Sequence, residues 1–197
     1  METQRVPFKG VEENEAIRSI LEGTSSEVGE AFFASLVENL SKVLHTYGAW
    51  VTEYIEDKKR LRSMAFFFGG DWIKGFEYPI VGTACEVVVE EKRLVHVRDR
   101  LFDKFHGNPE LGKALPNLKA VSYLGIPFED TAGTILGHLS VIDQLPIPED
   151  PQVFNVFRIF ANRASAEMRR LRAEKEIIQR EEKLRRLFDS AMDAIIE

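Results

Sequence analysis

The 197-residue sequence predicts an α+β fold: a central antiparallel sheet of five or six strands between two amphipathic helices, the second running on as a long C-terminal helix. Three observations predict it. Phe33, Leu36, Val37, Leu40, Val43, Leu44 and Tyr47 recur at three- and four-residue steps, the stripe of a helix that buries one face. Segments 49–55 with 60–68, and 120–128 with 134–143, are rich in β-branched and aromatic residues and flank short polar turns, the pattern of hairpins. From Pro151 an apolar stripe, Val153 to Leu171, passes into a stretch of Arg, Glu and Lys.

Taken in order, residues 1–23 form a lead-in, with Ile17, Ile20 and Leu21 at helical spacing before Gly23. Thr24-Ser25-Ser26-Glu27 reads as a capping box that opens the first long helix. Gly48 stands where a left-handed C-terminal cap ends it. The first hairpin follows, and Gly69-Gly70-Asp71 breaks it. Phe76–Ile80 and Leu94–Val97 read as short strands. Residues 83–92 fit a short helix, with Val87–Val89 keeping a strand reading open. Residues 99–118 are polar, punctuated by Gly107, Pro109 and Pro116. Glu129–Gly133 turns the second hairpin. Asp150 is the N-cap of the last helix and Pro151 its first residue, where a missing N–H costs nothing. Phe157, Ala164, Leu171 and Ile178 are seven apart, as are Ile177, Leu184 and Ala191, on two heptad tracks offset by one position. A helix charged on its outer faces needs a partner helix, and an identical one is the simplest.

Composition removes several classes. With 26 basic and 32 acidic residues the net charge is -6, and 44% of residues are hydrophobic. That is ordinary for a folded domain and unlike a disordered chain. The acidic balance argues against a dedicated nucleic-acid binder. METQRVPFKG lacks the features of a secretory signal, and no apolar run approaches the roughly 20 residues that cross a bilayer. One cysteine, Cys85, excludes an internal disulfide and a CxxC knuckle. No phosphate-cradling GxxxxGK loop or nucleophile elbow is present. A cytoplasmic, non-enzymatic chain is expected.

SYLGIPFEDTAGTILGHLSVID (122–143), preceded by GTACEVVV (82–89) and followed by PQVFNVFRIFANRASAEMRRLRAE (151–174), resembles a GAF domain. The variant is similar to those of bacterial sigma-54-dependent activators and sensor kinases. The resemblance implies both long helices on one face of the sheet and an irregular segment, 69–118, roofing a small-molecule pocket on the other. It also implies a homodimer through those helices. EEKLRRLFDSAMDAIIE (181–197) resembles the start of a PAS domain, which implies a piece of a longer protein. The expected organisation is a lead-in (1–23), a GAF sensory domain (24–172), a coiled-coil linker (173–188) and the beginning of a PAS-like domain (189–197). The chain lacks the Asn-Lys pair of cyclic-nucleotide-binding members and the several cysteines of methionine-sulfoxide-reducing ones.

The candidate ligand-binding residues are Trp72, Tyr78, Cys85, His96, Phe105, Tyr123, His138 and Ser140, for an unidentified small molecule and no named cofactor. Cys85 reads as core or as a ligand attachment point. Alternation on the last strand sets Leu136, His138, Ser140 and Ile142 on one face and Ile135, Leu139 and Val141 on the other. The apolar set then faces the helices, and His138 and Ser140 face the pocket or its rim. Trp72, Tyr78, Phe105 and Tyr123 supply aromatic lining, each equally a packing residue. His96, Asp99, Asp103 and His106 contain a His-and-carboxylate set of the kind that binds iron, but no tight motif frames them, and no metal is assigned.

Overall fold

The computed structural model describes residues 14, 17, 18, 27–106, 109–114 and 119–196. The predicted capping residues Thr24–Ser26, nearly all of the lead-in, Gly107 and Pro116 lie outside them.

Helix α1 spans Gly29–Leu44 and buries Phe32, Phe33, Leu36, Val37, Leu40 and Leu44, the stripe its sequence carries. It is shorter than predicted at both ends. Gly29 takes φ +66, which breaks the helix before it. At the other end His45, not Gly48, adopts the left-handed conformation (φ 54). His45 N–H donates to Lys42 O and Thr46 N–H to Ser41 O, a Schellman closure. Gly48 instead opens strand β1, where a Cβ would lie 2.9 Å from Phe68 Cδ2.

The sheet has seven strands, all antiparallel: β1 (Gly48–Ile55), β2 (Arg60–Phe68), β3 (Asp71–Trp72), β4 (Glu77–Pro79), β5 (Val95–Val97), β6 (Ser122–Glu129) and β7 (Ile135–Asp143). They run β3-β2-β1-β7-β6-β5, with β4 also on β2. Both predicted hairpins form, and β1 pairs with β7 to join them. The strand at Phe76–Ile80 forms as β4, and the one additional strand is the short β3; the two are held at opposite ends of β2. Residues 83–92 resolve as helix α2 (Ala84–Glu91). Helices α3 (Leu101–Lys104) and α4 (Pro109–Ala114) lie in the polar stretch after β5.

Helix α5 runs unbroken from Pro151 to Ile196. Asp150 caps it as the sequence predicts: its Oδ1 accepts from Gln152 N–H at 2.8 Å. Val153, Val156, Phe157, Phe160, Ala161, Ala164 and Met168 are buried. From Arg172 to Phe188 every residue is exposed.

Two cores sandwich the sheet. On one face α1 and the first part of α5 close over Ala49, Val51, Leu124, Leu139 and Val141. On the other, β4, α2 and the chain around them roof over Trp50, Phe66, Tyr123 and Ile142. One assignment of faces changes. A bulge where β6 meets β7, at Phe128/Glu129, shifts the register there. Leu136 therefore joins the helix-side core and Ile135 the roof-side core, the reverse of strict alternation.

Candidate functional site

The roof-side face of the sheet gathers the polar and aromatic side chains that the sequence singles out. Tyr123 on β6, Ser140 and His138 on β7, Tyr78 on β4 and Cys85 on α2 are all buried. Cys85 is the meeting point: Tyr78 Oη lies 3.4 Å and Tyr123 Oη 3.5 Å from its Sγ. Tyr123 Oη is also 3.0 Å from Ser140 Oγ. Gly125 makes this possible, because a Cβ there would stand 2.2 Å from the Tyr123 hydroxyl. The glycine of SYLGIP is thus the seat of the Tyr123 ring. Phe105 packs against the edge of the same cluster.

The remaining two candidates lie elsewhere. His96 points away from Val95 and Val97; its Nε2 is 3.0 Å from Ile147 O and its ring meets Phe154 edge-on. Trp72 is 41% exposed at the sheet edge, beside Phe67 on the helix-side face. Strand parity explains both: one residue's difference in phase sends a side chain to the opposite face. Among the described residues no group of three or more His, Cys, Asp or Glu is arranged to hold a metal ion.

The sequence reading missed Trp50, Thr52 and Ser63. Alternation along β1 was the available signal, since Trp50, Thr52 and Tyr54 share a face. Thr52 Oγ1 sits 2.5 Å from His138 Nδ1. Ser63 pairs directly opposite Thr52 in the β1–β2 ladder. The Trp50 ring meets His138 edge-on and tilts against Phe66 and Tyr123.

The cluster is electrically neutral near pH 7. Burial pushes the Cys85 thiol up, and the hydrogen bonds from Tyr123 and Tyr78 do not offset it. Burial, with the Cys85 sulfur alongside, raises both tyrosine hydroxyls well above their ordinary range. Burial alone pushes the His138 imidazole down to about 3. Thiol, phenols and imidazole are therefore all uncharged, which favours a hydrogen-bonding site over nucleophilic or acid–base chemistry.

A second feature lies across the molecule. Where α5 leaves the domain it forms, with the tip of the β1–β2 hairpin, an open cleft of about 1280 Å³. Tyr54, Met64, Met168, Leu171 and Ile178 line it together with charged side chains from both elements.

No family model matches the sequence and no curated protein is detectably similar to it. Solved structures do share the architecture. The GAF domain of a phosphoenolpyruvate-protein phosphotransferase from Coxiella burnetii matches with a TM-score of 0.68 at 18% identity, covering 83% of this chain and 96% of that one. Free methionine-R-sulfoxide reductase from Neisseria meningitidis, solved with its substrate, matches at 0.63 and 14% identity over 82% of this chain and 90% of that one. The chromophore-binding domain of a bacteriophytochrome from R. palustris matches at 0.60 and 11% identity over 83% of this chain and 64% of that one. At such identities a likeness speaks for the fold, and the fold of this chain is that of a GAF domain.

Proposed function

We propose that this chain is a small-molecule-sensing regulatory domain, most similar in design to the GAF modules of sigma-54-dependent activators and sensor kinases, and not itself an enzyme. One observation carries the reading. Helix α5 is rooted in the core on one face of the sheet, and the same helix continues exposed for residues 172–188. The roof-side cluster lies on the other face of that sheet. Occupancy of the cluster can therefore reach the projecting helix through a single layer of strands. A ligand moves such a helix only by binding one arrangement better than another.

The projecting segment supports a homodimer. Ile177, Ile178, Leu184, Leu187 and Phe188 are all more than half exposed, and Ile177 and Leu184 are one heptad apart. Intrahelical pairs such as Arg172–Glu176 and Glu182–Arg186 line its flanks. Against a catalytic role, the chain has one cysteine, buried and held as the thiol. The reading places the protein in the cytoplasm and gives this domain no nucleic-acid or membrane contact.

A second reading, a dimerisation module that senses nothing, draws on a different observation. Trp50, Phe66, Phe76, Tyr78 and Tyr123 fill the roof-side interior with the chain's own side chains. Native mass spectrometry of the purified chain separates the two. A dimer with extra mass on each subunit supports sensing. A dimer that stays free of ligand after exposure to cell extract supports the dimerisation module.

A further inference from the structure

We propose that the roof-side cluster recognises a compact, uncharged molecule through its carbonyl or amide oxygen atoms, to which His138 Nε2, Trp50 Nε1 and Ser63 Oγ are the available donors. This rests on the sensing reading of that cluster and adds the chemistry of what is sensed.

Among the described residues three buried side-chain polar atoms have no hydrogen-bond partner, and they are these three. An unpaired buried polar atom costs about 1–3 kcal/mol, so folded proteins hold few of them. Here they converge. His138 on β7 and Ser63 on β2 both flank Thr52 on β1, each directly opposite it in its own ladder. Trp50 is the next residue along β1 on the same face, its ring edge-on to His138. The Trp50 indole comes near the Tyr78 hydroxyl but makes no hydrogen bond of ordinary geometry. Three adjacent strands thus present three unused groups to one side of the sheet.

Their polarity follows from Thr52. Its hydroxyl is fully buried, and its partner is His138 Nδ1. If Nδ1 carried the proton, the Thr52 hydroxyl hydrogen and the bare Nε2 would both be left unpaired. If Thr52 donates, Nε2–H alone is left over, so hydrogen-bond bookkeeping assigns the proton to Nε2. The site then offers an imidazole N–H, an indole N–H and a hydroxyl. Two of the three groups can only donate, which selects an acceptor. Charge is excluded from the other side. Among the described residues no Lys or Arg is buried. The buried carboxylates are engaged elsewhere: Asp143 with the Tyr47 and Leu145 N–H groups, Glu167 with Gly29 N–H and Arg170. An ionised ligand group would be buried without a counter-charge, a far larger cost than a neutral one pays.

The test uses the full chain labelled with nitrogen-15. It is titrated separately with acetamide, N-methylacetamide and 2-pyrrolidone, and with acetate and methylammonium as charged counterparts. The expected result is an Nε2–H tautomer at His138, with saturable shifts at the His138 ring and Trp50 indole for the neutral carbonyl compounds only. Trp72, exposed at the sheet edge, is the internal control and stays still. Ser63→Ala weakens binding about 5-fold and His138→Phe about 10-fold, the loss of one hydrogen bond each. The milder serine variant keeps the test decisive if the histidine variant does not fold. An Nδ1–H tautomer, acetate binding as well as acetamide, or ordered water that no carbonyl compound displaces would each overturn the proposal. Saturation with no change in the amides of 172–188 would remove the sensing reading and leave the recognition chemistry standing.

Discussion

His138 shows how much one residue's surroundings decide. Its position on a strand was readable from GHLSVID, but burial and the Thr52 hydroxyl define its state. With a folded pKa of about 3 against 6.5 ordinarily, the unfolded chain binds a proton that the folded chain refuses. Stability is therefore complete above about pH 6.5 and falls as pH drops toward 3. Between pH 7.5 and 5 this histidine alone removes about 2 kcal/mol. Urea unfolding at the two pH values checks it. His138→Asn flattens the difference, because no group is then left to protonate at that site. The depressed carboxylates, Glu110, Asp130 and Glu167, lose their contribution as pH falls through the ordinary carboxylate range and below it, so most of their effect lies beneath this window. Two glycines make the same point by shape. Gly125 clears the Tyr123 hydroxyl, and Gly137 lets β7 pass so close to β1 that a Cβ would meet Thr52 O at 1.8 Å. Both were visible as small residues, but what they admit depends on neighbours from other strands.

At the scale of the element, periodicity located the helices and strands and the tertiary contacts set their ends. Helix α1 has no side-chain cap of its own at Val28. Its first N–H, on Gly29, donates instead to Glu167 Oε1 on α5 at 2.8 Å. Glu167 also receives two guanidinium bonds from Arg170, and these hold its carboxyl below the usual range. The start of one helix is thereby tied to the other just before α5 leaves the domain. Glu167→Ala is expected to cost about 2 kcal/mol, by stranding a charged hydrogen bond and the helix N-terminus together. In calorimetry that is a fall of about 4–8 °C in Tm. Arg170→Ala costs less, since its side chain is 43% exposed. The reverse order would show that the tie to Gly29 carries no weight. No local pattern announced this contact, which joins residues 138 positions apart.

For the whole molecule, the question is what covers the exposed part of α5. A single helix of the 172–188 composition gains little from its own i,i+4 pairs, about 0.3–0.5 kcal/mol each. Burial of Ile177 and Leu184 against a second copy would stabilise it far more. The chain is expected to be a dimer by light scattering at micromolar concentration. Ile177→Glu combined with Leu184→Glu should make it monomeric while Tm of the packed domain moves little, because neither side chain touches the core. A dimer that survives both changes would place the interface elsewhere, with the cleft beside the β1–β2 hairpin as the next surface to test.

The amino-acid pattern by itself determined the α+β class, the order of its elements, both hairpins, the cap at Asp150 and the face of the sheet on which His138 and Ser140 stand. These are properties of period and turn chemistry, which act over a few residues. The tertiary structure alone decided the short strand β3, the reversed faces of Ile135 and Leu136, the glutamate that caps α1, and the separation of Trp72 and His96 from the cluster around Cys85. Each depends on register between strands or on contacts between distant segments. Local sequence period fixes which side chains share a face, but it cannot say which distant backbone will lie opposite them.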